Sequence, residues 1–262
     1  MALLNVMRSF TRTSGGIALL GIEASREILR PPAQWKVTGR LVIEQINRMG
    51  IESIALVIVT GLATGSVMAL QFGYGMAKFG AKLYVPKVVA LTIAREMGPV
   101  FTSLLVAGRI GSGIAAEVAS MKVTQQIDAM EALGTSPIQR IVVPRLLAAF
   151  ITLPILTLIA DYVSLAGAMM IASSELGIHS EFYWAKTLDT LRLIDLATGM
   201  AKTAVFAVFI ALASCWKGLN TEGGTQGVGG TTTWVVVVSS IFIMISDFFL
   251  TKLFLLTVFP KL

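Results

Sequence analysis

The chain has 262 residues and a formal net charge of +6, and 55% of its residues are hydrophobic while only 14% are charged. Soluble globular proteins contain about 45–50% apolar and about 25% charged residues, so this composition and a mean hydropathy of +0.79 exclude that class. The expected environment is a lipid bilayer.

The first 50 residues predict a helix that lies along the membrane surface. The apolar run at 15–22 is short, is followed directly by Glu23 and Arg26, and has no small-residue cleavage site after it, which argues against a secretory signal. Residues 1–30 therefore predict an interfacial helix that ends at the proline pair 31–32, with its arginines at anionic headgroups. The side chains expected to face inward are Leu3, Leu4, Val6, Met7 and Phe10.

Five apolar stretches are long enough to cross a bilayer, which takes about 17 to 25 residues each. They cover residues 51–72, 88–114, 146–172, 197–216 and 233–256. An odd number of spans places the two termini on opposite sides of the membrane. Because Lys and Arg are concentrated before the first span, the positive-inside rule predicts a cytoplasmic N-terminus and a periplasmic C-terminus. Lys78, Lys82 and Lys87 go against this orientation.

Residues 108–148 form the one long polar interruption between these stretches, and they predict a short helix outside the membrane core. Thr124 is suited to an N-cap, Gly134 can adopt the left-handed conformation that ends a helix, and Pro137 blocks continuation. The predicted fold is thus an all-α membrane protein with five transmembrane helices, an N-terminal interfacial helix and a cytoplasmic helix between spans two and three.

This short helix has an amphipathic pattern. Ile127, Met130 and Leu133 recur at three-residue spacing, and Asp128 and Glu131 form an acidic face beside them. A membrane protein with such a cytoplasmic segment is expected to use it to hold a soluble partner. The alternative is an ordinary amphipathic helix that lies on the lipid headgroups.

Several ionisable residues fall inside the apolar stretches. Such a residue at the centre of a membrane costs on the order of 2.5–3.5 kcal/mol, so it normally faces a protein interior or a wet cavity. Arg95, Glu96 and Lys202 favour a cavity, with internal ion pairs as the alternative. Asp161 and Asp247 favour a structural role in helix packing.

Catalytic chemistry has little support in the sequence. His179 is the only histidine and Cys215 the only cysteine, so neither has a partner at metal-ligand or triad spacing. The glycine-rich run at 218–230 lacks the Gly-Lys-Ser/Thr ending of a phosphate-binding loop. The arginines are dispersed and accompany no nucleic-acid motif. The chain is therefore expected to bind no metal, cofactor or nucleic acid and not to hydrolyse nucleotide itself.

The central residues resemble a known family. The run GRIGSGIAAEVASMKVTQQIDAMEALGTSPIQRIVVPRLLA, preceded by ALTIAREMGPVFTSLLVA and followed by LPILTLIADYVSLAGA, is similar to the MlaE/YrbE permeases of ABC transporters that work with MCE proteins. The resemblance extends over about residues 45–255 and implies one permease domain over 1–262, with an interfacial region at 1–50 and a transmembrane core at 51–257.

The resemblance also implies a larger assembly in the bacterial inner membrane. Two copies of the permease would stand above two MlaF-like ATPases, which bind an MlaB-like STAS protein, and a hexameric ring of MlaD-like MCE subunits would cover the periplasmic face. The cargo would be phospholipid, and its transport would maintain the lipid asymmetry of the outer membrane. Arg95, Glu96 and Lys202 match polar positions that line the lipid cavity in this family.

In this family the helix between spans two and three is the coupling helix that contacts the ATPase. The residues assigned to coupling are Glu117, Gln126, Ile127, Asp128, Met130, Glu131 and Leu133. The family usually has Thr-Glu-Gln-Ile-Asp-Ala here, whereas this chain has Gln125 in place of the first acid. Glu117, Asp128 and Glu131 would then provide the electrostatic part of docking.

Two other functions compete with a lipid permease. One is a passive membrane scaffold for MCE proteins, which the charges inside the spans argue against. The other is an intramembrane enzyme that acts on lipids, with Glu96 or Asp247 as acid or base. That reading lacks a second catalytic group at a recognisable spacing.

Overall fold

A computed structural model describes residues 2–29 and 35–258, and these residues are helical without any strand. The all-α fold class is confirmed. The α-helices are α1 Ala2–Leu29, α2 Trp35–Ile46, α3 Glu52–Ala77, α4 Val85–Thr92, α5 Gly98–Val106, α6 Ser112–Val123, α7 Gln126–Ala132, α8 Val143–Ser174, α9 Ser180–Thr190, α10 Leu193–Leu219 and α11 Gly224–Thr257. Short π-helical turns at Asn47–Ile51, Ile93–Met97, Ala107–Gly111 and Ile138–Val142 join several of them.

Five continuous helical segments in the described residues are long and apolar enough to cross a membrane, which confirms the number and order of the predicted spans. They are Thr38–Ala77, Lys82–Val123, Ile138–Ser174, Leu193–Leu219 and Gly224–Thr257. Each begins before the predicted span, because hydropathy identifies only the apolar centre of a helix. The ends of a helix can continue into polar surroundings without changing their hydrogen bonding.

The second span departs most from a regular helix. The sequence predicts one uninterrupted segment at 88–114, whereas the structure has π-helical turns at Ile93–Met97 and Ala107–Gly111 within it. A π-helical turn inserts an extra residue and changes the faces on which the following side chains lie, and it is frequent at functional sites. Arg95 and Glu96 lie in the first of these turns.

The chain divides into two compact units. The first contains the described residues up to Met49 with Ala107–Phe150 and Ala207–Ile241, and the second contains Gly50–Val106, Ile151–Phe206 and the described residues from Phe242 onward. A single permease domain over 1–262, divided at residue 50, stays a prediction.

Helix α1 packs into the first unit through one face. Ile17, Leu20 and Ala24 are buried, and Gly16 lies so close to the indole of Trp216 that a Cβ atom there would overlap the ring. The N-terminal helix that the sequence predicts is therefore present. The side chains of Leu3, Leu4, Val6, Met7 and Phe10 and the proline pair at 31–32 lie outside the described part of the chain.

In the second unit, spans one and three approach each other through small residues. A Cβ atom on Gly65 would overlap the backbone carbonyl of Ser164, and one on Gly167 would lie 3.1 Å from the Cα atom of Leu62. Close approach of this kind is typical of helix packing in membranes, where van der Waals contact provides much of the stability.

Replacement of Gly65 by alanine is expected to lower the free energy of unfolding by about 1–3 kcal/mol, because the rigid backbone at Ser164 cannot move aside cheaply. Gly75→Ala is the matched control, since Gly75 lies on the same helix with nothing within 4 Å of its added Cβ. Thermal unfolding in detergent should show a lower melting temperature for Gly65→Ala alone. Equal melting temperatures for the two variants would contradict the close contact.

Candidate intramembrane site and coupling segment

Lys202 lies at the centre of an ion network in the second unit. Its side chain is only 2% exposed, and Nζ donates to Glu96 Oε2 at 2.6 Å, to Thr251 Oγ1 at 2.7 Å and to the carbonyl oxygen of Arg95 at 2.9 Å. Nζ also lies 3.0 Å from Asp247 Oδ1, which receives no aligned hydrogen bond. An ammonium group has three N–H donors, so these three hydrogen bonds use all of them and Asp247 adds an ionic contact.

The backbone of span two supplies part of this network. Pro99 has no N–H, so the α-helical hydrogen bond to the Arg95 carbonyl, four residues earlier, cannot form. Lys202 donates to that carbonyl instead. A proline is tolerated inside a membrane helix when another group satisfies the carbonyl that it leaves bare.

Thr251 on α11 completes the network. Its hydroxyl accepts from Lys202 and donates to the Glu96 carboxylate, whose oxygens lie 3.1 and 3.2 Å away. Residues from spans two, four and five therefore meet at one buried ammonium group. Two carboxylates, those of Glu96 and Asp247, contact this one cation.

Arg95 has a different partner. Its Nε and Nη2 atoms lie 2.7 and 2.6 Å from Asp195 Oδ1, and Asp195 is 1% exposed. The other Asp195 oxygen accepts from the backbone N–H of Arg192 at 2.9 Å, near the start of α10. The Arg95 side chain is 24% exposed, so it is the more accessible of the two cations.

A small cavity adjoins this network. It has a volume of about 20 Å³ and is lined by Arg95, Glu96, Thr198, Lys202, Thr251, Phe254 and Leu255. One water molecule needs about 10–15 Å³, so the cavity is far too small for a lipid headgroup. The structure therefore places the three predicted cavity residues together, in an arrangement that is closed to large ligands.

The two remaining acids of the spans occupy different surroundings. Asp247 contacts Lys202, as described above. Asp161 is 4% exposed and packs against Gly98, and its Oδ1 atom has no hydrogen-bond partner within the described chain. A structural role for Asp161 and Asp247 stays a prediction.

The short helix after span two is present as α7, and its C-terminal end is as predicted. Gly134 has φ +73°, and its N–H donates to the Glu131 carbonyl at 2.9 Å. The N–H of Thr135 donates to the Met130 carbonyl at 3.0 Å. This pair of bonds is the Schellman motif, which satisfies carbonyl groups that the last turn leaves unpaired.

The predicted N-cap is wrong. The Thr124 hydroxyl donates back to the Ser120 carbonyl at 2.8 Å, so Thr124 ends α6 instead of starting α7. Gln125 precedes α7 with a left-handed backbone at φ +58°, and its side chain makes no capping bond. A threonine hydroxyl can bond to a carbonyl of the preceding turn, and here that local bond competes successfully with capping.

The predicted docking stripe is divided between the interior and the surface. Ile127 is buried within the first unit, Met130 is half-buried and Leu133 is 83% exposed. Asp128 Oδ1 pairs with Lys122 Nζ at 2.7 Å, and Glu131 is exposed. Gln126 is also exposed, and its amide donates to the Thr124 hydroxyl at 3.0 Å. Ile127 thus anchors α7 to its own chain, while Leu133 is available to a partner.

Glu117 is held between two arginines of its own chain. Its Oε2 atom lies 3.0 Å from Nη2 of the buried Arg145, and Oε1 lies 3.4 Å from Nη1 of Arg48. Arg145 also donates to the Ile141 carbonyl at 3.0 Å. The Glu117 carboxylate therefore joins the end of span two to the beginning of span three and to the first part of span one.

Sequence reasoning missed the partners that complete both arrangements. The sequence analysis assigns no role in these sites to Asp195, Thr251, Arg145 or Arg48. A carboxylate two positions before the predicted span 197–216 was the available signal for Asp195. Thr251 carried no comparable signal.

These features define a multi-pass α-helical membrane protein that keeps ionisable groups within its spans and a short helix between spans two and three. The chain matches the family model "Permease MlaE" over residues 42–253, and it belongs to that family of ABC transporter permeases. The resemblance inferred from the central sequence is confirmed.

Curated relatives are similar over most of the chain. A probable ABC transporter permease protein of Rickettsia felis is 40% identical over 94% of this chain and 93% of its own length. The intermembrane phospholipid transport system permease protein MlaE of Haemophilus influenzae is 30% identical over 81% of this chain and 82% of its own. The chloroplastic protein TRIGALACTOSYLDIACYLGLYCEROL 1 of Arabidopsis thaliana is 35% identical over 87% of this chain and 64% of its own length.

Proposed function

We propose that this chain is the membrane-spanning subunit of an ATP-driven transporter that moves phospholipid between the inner membrane and a periplasmic ring of MCE proteins. The observation that carries the proposal is the ion network of Lys202, Glu96 and Asp247 inside apolar spans of a MlaE-family permease. The name of the Haemophilus relative, an intermembrane phospholipid transport permease, supports phospholipid as the cargo. Transport of this kind would maintain the lipid asymmetry of the outer membrane.

The proposed assembly follows from the family. A second copy of the chain pairs with the first, MlaF-like ATPases bind α7 and hydrolyse ATP, an MlaB-like STAS protein binds the ATPases, and a MlaD-like MCE hexamer covers the periplasmic face. The exposed Leu133 supports α7 as the ATPase contact. The basic N-terminal region supports a cytoplasmic N-terminus and a periplasmic C-terminus.

Within this proposal, the lipid phosphate first meets Arg95. The Arg95 guanidinium is partly exposed, whereas every donor of Lys202 is already used. A phosphate binds a guanidinium through charge-assisted hydrogen bonds and would compete with Asp195 for it. A hydrogen bond from Lys202 to the phosphate requires displacement of Glu96 or Thr251 from the ammonium group, so the described arrangement corresponds to a closed state. Movement of packed helices, driven by the ATPases through α7, would open it.

The proposal is tested by removing the charge of Arg95 together with that of Asp195, so that no buried carboxylate is left without a counter-ion. The double variant Arg95→Gln/Asp195→Asn keeps two hydrogen-bonding side chains at similar volume and removes both charges. We expect it to assemble with the ATPase but to transfer lipid between vesicles about tenfold or more slowly, since hydrogen bonds to charged groups contribute about 1.5–3 kcal/mol. Asp195→Asn alone is the control that retains the cation. Wild-type transfer by the double variant would refute the role of Arg95.

The competing functions predict different results in the same assay. A passive scaffold would show lipid transfer that does not depend on ATP. An intramembrane enzyme would convert the lipid into a chemically different product, which mass spectrometry of the vesicles would detect. The contacts of Glu96 and Asp247 with Lys202 favour a permease over this enzyme, because both carboxylates are already engaged by one cation.

A further inference from the structure

The second unit contains a lateral groove of about 450 Å³ between spans one, two and three. Its lining includes small residues on all three spans, Gly61 and Ala63 on span one, Gly98 on span two and Ala160 on span three. Along span two the lining extends from Ile93 to Leu105, which at 1.5 Å per residue corresponds to about 18 Å. The volume is in the range of about 300–1,000 Å³ that is usual for small-molecule sites.

The chemistry of the groove is apolar. Within the described chain, no charged side chain lines it. The hydroxyls of Thr60 and Thr64 donate to carbonyls of their own helix, those of Leu56 and Thr60, at 2.8 Å. These hydroxyls therefore require no polar ligand, and the groove is suited to a hydrocarbon rather than to a headgroup.

The groove is separate from the Lys202 network. Both adjoin the π-helical turn Ile93–Met97, but Arg95 and Glu96 belong to the small cavity beside Lys202, whereas Ile93 and Met97 line the groove. A lipid whose phosphate contacts Arg95 would thus lie on the other side of the turn from a chain in the groove.

The mouth of the groove indicates its occupant. Ala63 and Phe101 line it and are exposed, the latter by 47%. All lining residues belong to segments long and apolar enough to span a membrane, so a mouth that no second copy covers faces the hydrocarbon of the bilayer. An apolar space of this size that opens into lipid gains dispersion contacts when a chain fills it. We propose that the groove binds one acyl chain of a bilayer phospholipid, a resident lipid distinct from the transported cargo.

The test uses the full-length permease in vesicles of phosphatidylglycerol and phosphatidylethanolamine that contain a phosphatidylethanolamine with a diazirine in mid-chain. After irradiation, peptide mass spectrometry compares Met97 and Phe101 with Ile155 and Met170, which are exposed on span three. We expect about tenfold more label per residue at Met97 and Phe101, which corresponds to about 1.4 kcal/mol of preferential binding.

Two tryptophan variants localise the bound chain. Ala63→Trp fills the mouth and is expected to lower the label at Met97 and Phe101 about tenfold, while Val59→Trp, at an exposed position of the same helix outside the groove, leaves it unchanged. If Ala63→Trp does not fold, the distribution of label among the residues of the wild-type protein tests the proposal by itself. The proposal is overturned if Met97 and Phe101 carry no more label than Ile155, or if Ala63→Trp and Val59→Trp lower the label equally. It is also overturned if a second copy covers the mouth, which would leave Met97 unlabelled.

Because the readout is binding, the test is independent of ATP and of transport. The variant Arg95→Gln/Asp195→Asn should retain the label at Met97 while it loses lipid transfer. Loss of both together would indicate one shared lipid site and contradict a separate resident lipid.

Discussion

Replacement of Lys202 by alanine is expected to lower the free energy of unfolding by about 3–5 kcal/mol, because it leaves the Glu96 and Asp247 carboxylates without their common cation. It also leaves the Arg95 carbonyl without the donor that compensates for Pro99. Thermal unfolding of the purified permease and its yield in detergent should both fall. Lipid transfer and assembly with the ATPase should be lost as a consequence.

Two further variants show whether the loss of stability is specific to the Lys202 network or follows from any substitution in the spans. Lys252→Ala removes an exposed lysine one position from Thr251 and should be close to wild type in stability. The triple variant Lys202→Met/Glu96→Gln/Asp247→Asn removes the charges together and should recover most of the stability, since a buried ion pair can be replaced by neutral residues at little cost. A melting temperature of Lys202→Ala equal to that of Lys252→Ala would show that the network does not hold the spans together.

Replacement of Leu133 by aspartate is expected to release the ATPase subunit while the permease stays folded. Leu133 is 83% exposed at the end of α7, so the change costs the isolated chain little, whereas a central apolar contact in an interface is worth about 2 kcal/mol or more. That loss corresponds to about a 30-fold weaker complex. Copurification of the two subunits measures it.

Leu188→Asp provides the matched control, because Leu188 is an exposed leucine in α9, another helix outside the spans. Met130→Asp is less informative, since Met130 is half-buried and the change would also disturb packing within the chain. Normal recovery of the ATPase with Leu133→Asp would remove Leu133 from the contact.

The sequence predicts the spans because a bilayer imposes a length and a composition that can be counted directly. The cost of an ionisable group in hydrocarbon also singles out Glu96 and Lys202 without knowledge of their neighbours, and the two side chains are in contact in the structure. Their partners could not be predicted in the same way. Thr251 is 155 positions from Glu96 and Asp195 is 100 positions from Arg95, so only tertiary packing brings them together.

The wrong N-cap in the polar segment has a local cause. Thr124 has the chemistry of an N-cap, but the same hydroxyl can bond the preceding turn, and no pattern in the sequence decides between the two. Likewise, the three-residue spacing of Ile127, Met130 and Leu133 identifies an apolar stripe without indicating which part of it the chain covers. Only the structure shows that Ile127 is buried and Leu133 exposed.

The two ion pairs that Glu117 forms, with Arg145 and with Arg48, differ in strength. Arg145 is buried and lies 3.0 Å from the carboxylate, whereas the Arg48 side chain is 55% exposed and lies 3.4 Å away. An exposed ion pair contributes about 0–1 kcal/mol and is screened at physiological salt. The contact between spans two and three is therefore the more persistent one, while the contact between span two and the first part of span one is expected to weaken as the ionic strength rises.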